Sequence, residues 1–294
     1  MAPLDAAGGG SGIHAQVFGP DGVARGPGLL AAGGFDSPAI AARPGSAYLV
    51  WWWSSSGTGA RRVAPNGTTA APQITLATHS DSLTLPADDR LLRTWINSTL
   101  PPVHTQGQFL EPDGTPSGDA FPLEPDGAAC WTRIAPLGGS GFAGLQSCDP
   151  AGTRVQVFDA QGTPVGSGIA LDDSNWVRIL GLPGGGFGVF GDSLVARFFS
   201  AAGDPAGGFD TPYGAGDLAV RPGGNVLGVE GSVAREVTPT GPVGPMVDIG
   251  TELTPVGMGS PRVATLPDDT WVVVWAKEAI YAQRFDAKSH RLYH

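Results

Sequence analysis

The chain has 294 residues, a formal net charge of −10 and a pI near 4.8, and its only lysines are Lys277 and Lys288. A chain this acidic offers no basic stripe to neutralise phosphates, which argues against a nucleic-acid partner, and no apolar run approaches the roughly 18 residues that span a bilayer. Gly 46 and Pro 27 would suggest disorder in an aperiodic chain, but here they fall at fixed points between apolar runs and mark turns.

Residues 1–12 are expected to form a flexible N-terminal segment, and Met1-Ala2-Pro3-Leu4-Asp5 has neither the basic nor the hydrophobic region of a signal peptide. The first element is a strand, Ala15-Gln16-Val17-Phe18, followed by a turn glycine, Gly22. A hairpin with its turn at Pro44-Gly45 comes next, and its second strand ends in Trp51-Trp52-Trp53. Alternation puts Trp51 and Trp53 on one face and Trp52 on the other, a pattern suited to packing adjacent sheets. Arg61-Arg62-Val63 then repeats the first strand, and Gly67 repeats its turn glycine.

The hairpin returns with turns at Pro86-Ala87, Gly138-Gly139, Pro183-Gly184, Pro222-Gly223 and Pro267-Asp268, giving intervals of 42, 52, 45, 39 and 45 residues from Pro44 onward. The strand after it returns as Gly107-Gln108-Phe109, Val155-Gln156-Val157-Phe158, Ala196-Arg197-Phe198-Phe199, Ala234-Arg235-Glu236-Val237 and Ala282-Gln283-Arg284-Phe285. Turn glycines Gly114, Gly162, Gly203 and Gly241 follow all but the last copy, and each leads into a short fourth strand such as Ala120-Phe121-Pro122-Leu123. Six such units without helical periodicity predict an all-β chain, a six-bladed β-propeller with four short antiparallel strands per blade. The third strand occurs seven times and the fourth six, so the ring is expected to be closed by N-terminal strands that complete the blade begun by Val263 to Trp275. The propeller is then a single domain over 13–288, with a C-terminal tail at 289–294.

Pro261 to Asp286 resembles repeats of the form P-x-V-A-x-L-x-D-G-x-x-V-V-V-W followed by I-Y-A-Q-R-F-D, found in tandem in large secreted or surface proteins of bacteria. Asp269 stands where that pattern has glycine. The resemblance covers these 26 residues closely and the other units loosely. It implies an extracytoplasmic propeller-like array and carries no activity to transfer.

Cys130 and Cys148 lie symmetrically about the Gly138-Gly139-Ser140 turn and should face each other across the hairpin, close enough for a disulfide. Such a bridge belongs to a compartment more oxidising than the cytosol. The inner strand of a propeller blade lines the central channel. Counting back seven residues from each hairpin turn therefore gives one channel-mouth position per blade: Ser37, His79, Trp131, Trp176, Ala215 and Ser260.

Trp131 and Trp176 can form an aromatic platform for a flat ligand such as a sugar, or can cap the channel as core residues. The acidic residues Asp36, Asp81, Glu124, Asp126, Asp172, Asp173 and Asp217 in the same loops would make the face electronegative, although most are explained as turn chemistry. His79, Asp81 and His104 share two loops of the second blade and complete the candidate ligand-binding set. A general base or metal could in principle be built from them, but no metal site and no cofactor is expected. The favoured function is non-catalytic recognition of a glycan or protein at the channel mouth. A propeller hydrolase or lyase acting on a polysaccharide or small ester is the second hypothesis, and a structural repeat spacer the third.

Overall fold

A computed structural model of the chain describes residues 13–19, 23–31, 35–41, 48–54, 57–69, 72–76, 80, 82–84, 90–97, 104–124, 130–138, 141–148, 152–171, 176–191, 195–210, 216–249, 261–276 and 280–292. Strands β1 (Ile13–Phe18) and β2 (Ala24–Ala31) form a sheet of their own. Blade 1 contains β3 (Phe35–Ala41), β4 (Tyr48–Ser54), β5 (Gly57–Val63) and β6 (Ile74–Leu76), and blade 2 contains β7 (Ser82–Thr84), β8 (Leu91–Asn97), β9 (His104–Leu110) and β10 (Phe121–Pro122). Blade 3 contains β11 (Cys130–Pro136), β12 (Phe142–Cys148), β13 (Gly152–Phe158) and β14 (Pro164–Ala170). Blade 4 contains β15 (Trp176–Gly181), β16 (Phe187–Gly191), β17 (Val195–Phe199) and β18 (Pro205–Asp210). Blade 5 contains β19 (Asp217–Val220), β20 (Val226–Glu230), β21 (Val233–Thr238) and β22 (Gly241–Asp248). Blade 6 contains β23 (Arg262–Thr265), β24 (Trp271–Ala276), β25 (Ile280–Phe285) and β26 (Arg291–Leu292).

The fold is thus an all-β propeller of six four-stranded antiparallel blades, with no helix among the described residues. Residues 1–127, with blades 1 and 2, form one compact unit and residues 128–294, with blades 3 to 6, another. Within each unit, successive blades enclose an apolar layer, and this is where strand alternation sends the large side chains. Leu49, Trp51 and Ile74 of blade 1 meet Leu83, Leu91 and Leu110 of blade 2. Leu145 and Val155 of blade 3 meet Ile179 and Phe187 of blade 4, and Leu227 and Ala234 of blade 5 meet Val263 and Trp271 of blade 6. Trp51 and Trp53 share a face as expected, with ring centroids 6.3 Å apart, while Trp52 packs on the opposite face of its sheet with Val50 and Val63.

The Q-x-F shared by the third strands at Gln16, Gln156 and Gln283 has a physical basis. Beside Gln156 the β13–β14 register slips by two residues. The Gln156 amide fills the gap, donating to the carbonyls of Val157 and Val165 at 2.9 and 3.2 Å. Gln283 does the same to Arg284 and Leu292, and Gln16 to Val17 and Arg25. The side chain thereby satisfies backbone acceptors that a bulge would leave unpaired.

Two expectations are corrected. The N-terminal strands do not complete the last blade, and residues 289–294 are not simply a tail. Arg291–Leu292 is the fourth strand of blade 6, paired with Arg284 and Phe285. The turn before it has no glycine. Ser289 takes the left-handed position (φ 67) that glycine holds in other blades, as at Gly162 (φ 83) and Gly203 (φ 92). Asp286 makes this tolerable, since its carboxylate accepts the backbone N–H groups of Lys288 and His290 at 2.8 and 2.7 Å.

β1 and β2 are a third-and-fourth-strand pair without a first and second strand among the described residues. They carry the same glutamine clamp and bulge, and they sit against blade 1, with Ala15 and Val17 packed on Val50, Trp52 and Val63. A Cβ on Gly67, in the turn of blade 1, would lie 1.8 Å from the Arg25 carbonyl oxygen. Ile74 approaches Gly114 of blade 2, and Ile169 Gly203 of blade 4, in the same way. The N-terminal hairpin is therefore half a blade, seated as a preceding blade would be.

Candidate functional site

In the second unit successive blades meet through their first strands β11, β15, β19 and β23, whereas the fourth strands β14, β18 and β22 are exposed along most of their length. The first strands are therefore the inner ones, as the repeat register requires. Cys130 and Cys148 are opposite each other in the β11–β12 ladder, with Cα atoms 4.3 Å apart, and are joined. The disulfide pins the leading end of β11.

Trp131, the next residue, is 73% exposed. Trp176, at the matching position of blade 4, is 5% exposed and packed among Ile179, Phe187 and Val189. The backbone explains the difference. β11 runs in unbroken register, Trp131 opposite Ser147 and Arg133 opposite Leu145. β15 slips by one residue between Trp176 and Arg178, which pair with adjacent residues, Gly191 and Phe190. Such an extra residue turns the side chain before it to the other face of the sheet. The platform therefore has one open indole, and Trp176 belongs to the core between blades.

His104 begins β9 in the first unit, half-buried, and its Nδ1 has no hydrogen-bond partner among the described residues. His79, Asp81, Asp126, Asp172, Asp173, Ala215 and Ser260 lie outside the described residues, as do the side chains of Asp36 and Ser37. Two of the acidic candidates hold neighbouring chain in place. Buried Glu124 accepts the Thr105 backbone N–H at 2.6 Å, and Asp217 accepts that of Val263 at 2.9 Å, tying blade 5 to blade 6.

Two residues further along each inner strand the second unit carries Arg133, Arg178, Asp217 and Arg262, of which the sequence points only to Asp217 and not to the three arginines. The same count from the hairpin turns, moved on by two, would have found them. Arg178 reaches the Asp217 carboxylate at 3.0 Å and donates to the Gly216 carbonyl at 2.8 Å. Arg262 approaches the same carboxylate at 3.6 Å with its side chain 66% exposed. Arg133 is exposed, on the same side of β11 as Trp131 by strand alternation. Burial pulls the Arg178 guanidinium below its ordinary value, and the like charges of Arg262 and Arg133 add to this while Asp217 opposes it. One carboxylate thus serves two guanidinium groups, Arg178 and Arg262, while Arg133 adds a third positive charge nearby.

Fold and site together define a β-propeller with an open indole and clustered arginines on its inner strands. The comparisons with known proteins agree at the level of fold. No protein-family model matches the chain, and no curated protein matches it in sequence. Among solved structures it is similar to a catalytically inactive virginiamycin B lyase from Staphylococcus aureus with quinupristin, at 11% identity and a TM-score of 0.61, covering 93% of this chain and 94% of that one. It is also similar to the WD40 β-propeller domain of Doa1, at 10% identity and a TM-score of 0.56, covering 86% of this chain and 80% of that one. At such identities the likeness establishes the propeller and nothing of its use.

Proposed function

We propose that the protein is a non-catalytic recognition module working outside the cytosol, and that it binds a glycan at the inner-strand face of its second unit. The observation that carries this reading is Trp131. An indole 73% exposed at the leading end of an inner strand, next to a disulfide, is a rigid apolar surface held open to solvent. Such a ring recovers roughly 25 cal/mol per Å² of apolar surface when a sugar face covers it. The disulfide Cys130–Cys148 supports an oxidising compartment.

The test is a glycan array probed with wild-type protein and Trp131→Ala. Loss of binding at unchanged melting temperature supports the site, and retained binding removes it. Trp176→Ala serves as the opposite control, since a buried ring should lower the melting temperature.

A further inference from the structure

Resting on that glycan reading, we infer that the ligand is an acidic sugar whose carboxylate is held by Arg133 and Arg262 while its ring lies on Trp131. The chain as a whole is acidic, at −10, yet in the second unit the inner-strand positions two residues beyond the Trp131 register hold three arginines and one aspartate. The donor inventory shows which of them have capacity to spare. Asp217 is spent on the Val263 backbone N–H and on Arg178, and Arg178 is further engaged by the Gly216 carbonyl. Arg262 stands 3.6 Å from that shared carboxylate and is mostly in solvent, and among the described residues no carboxylate forms an ion pair with Arg133. Each guanidinium offers five N–H donors in a planar fork that matches a carboxylate.

The spacing fits the same ligand. Trp131 and Arg133 are two residues apart on an unbroken strand, an advance of about 6.7 Å. A carboxylate carried on a pyranose puts its oxygens ~4 Å from the ring centre, and a charge-assisted hydrogen bond adds about 2.8 Å. A uronic acid centred on the indole therefore reaches the Arg133 head group. Burial is the chief cause of the lowered Arg178, and the smaller repulsion that Arg262 and Arg133 add to it would be relieved by an added anion. A neutral sugar would leave these exposed charges unused.

The test uses the full chain and oligomers of galacturonate, glucuronate and mannuronate, each beside its carboxyl-reduced neutral counterpart, with binding measured by calorimetry at low and high salt. The expected result is binding of at least one acidic oligomer at least tenfold tighter than its reduced form, weakened by salt. Arg133→Ala and Arg262→Ala should each lose about tenfold or more for the acidic oligomer with the melting temperature preserved. Equal binding of acidic and reduced forms, or acidic binding unaffected by either arginine variant, overturns the inference but leaves the glycan reading standing. Binding of no sugar, acidic or neutral, overturns both.

Discussion

The half-blade assignment makes a quantitative prediction about two phenylalanines at one repeat position. Phe158 and Phe18 each end a third strand, four residues before a turn glycine. Phe158 is 1% exposed and stacks on Phe142 of the second strand, with centroids 4.7 Å apart. The corresponding ends in blades 1, 2, 4 and 6, Val63, Leu110, Phe199 and Phe285, are 3%, 1%, 6% and 0% exposed, and Val237 of blade 5 is half-buried. Phe18 is 59% exposed. A phenylalanine ring buries ~200 Å², worth about 5 kcal/mol at roughly 25 cal/mol per Å², and core Phe→Ala changes cost about 3–5 kcal/mol. Phe158→Ala should therefore cost about 4 kcal/mol, a fall of roughly 10 °C in melting temperature. Phe18, with most of its surface already in water and no tight cavity to leave, should cost about 1 kcal/mol. Urea denaturation read by tryptophan fluorescence, alongside thermal scans, measures both. A Phe18→Ala cost equal to that of Phe158→Ala would mean that Phe18 is covered by a completed blade, and would refute the half-blade.

Further expectations concern single contacts. Replacing both Cys130 and Cys148 by serine opens a closure of sequence separation 18, worth about 3 kcal/mol by loop entropy; an unchanged urea midpoint would contradict this. Asp269 has φ 64, where Gly185 and Gly224 serve in blades 4 and 5, and it also pairs with buried Arg221 at 2.8 Å. Asp269→Ala loses the pair and keeps the strain, so it should be less stable than Asp269→Gly by about 1 kcal/mol, and equal midpoints would show that the backbone is indifferent.

Three turn carboxylates are held below their ordinary range by hydrogen bonds: Asp113 chiefly by the Thr115 backbone N–H, Asp268 by the Thr270 hydroxyl, and Asp286 by the His290 backbone N–H. Because their folded values lie below the unfolded one, their contribution is present above about pH 4 and is lost as pH falls through the folded values. The triple change to asparagine should therefore narrow the difference in melting temperature between neutral and acid pH, and an identical difference would count against it.

The propeller was legible in the sequence because a blade is a local object. Its hairpin turns, its alternating apolar strands and its clamp glutamine recur at short range, so six units and the Cys130–Cys148 pairing could be read along the chain. The last fourth strand escaped because Ser289 replaces the glycine that announces the turn, and only the Asp286 side chain, folded back on the backbone, shows that the turn is still made. Without that strand, the count of third and fourth strands assigns the N-terminal pair to closing the ring. Its packing against Trp52 and Gly67 of blade 1 is a long-range relation that no local pattern encodes.

The site divides in the same way. Counting along the repeats placed Trp131 and Trp176 at equivalent positions, but a one-residue slip in β15 buries one indole while regular β11 leaves the other open. Which way a strand residue faces depends on pairing with its neighbour, so the sequence determined the register and only the tertiary structure decided which ring meets solvent. Arg178 and Arg262 are 84 positions apart in the chain and meet at Asp217 because the inner strands of successive blades stand side by side, and Arg133 adds its charge from blade 3.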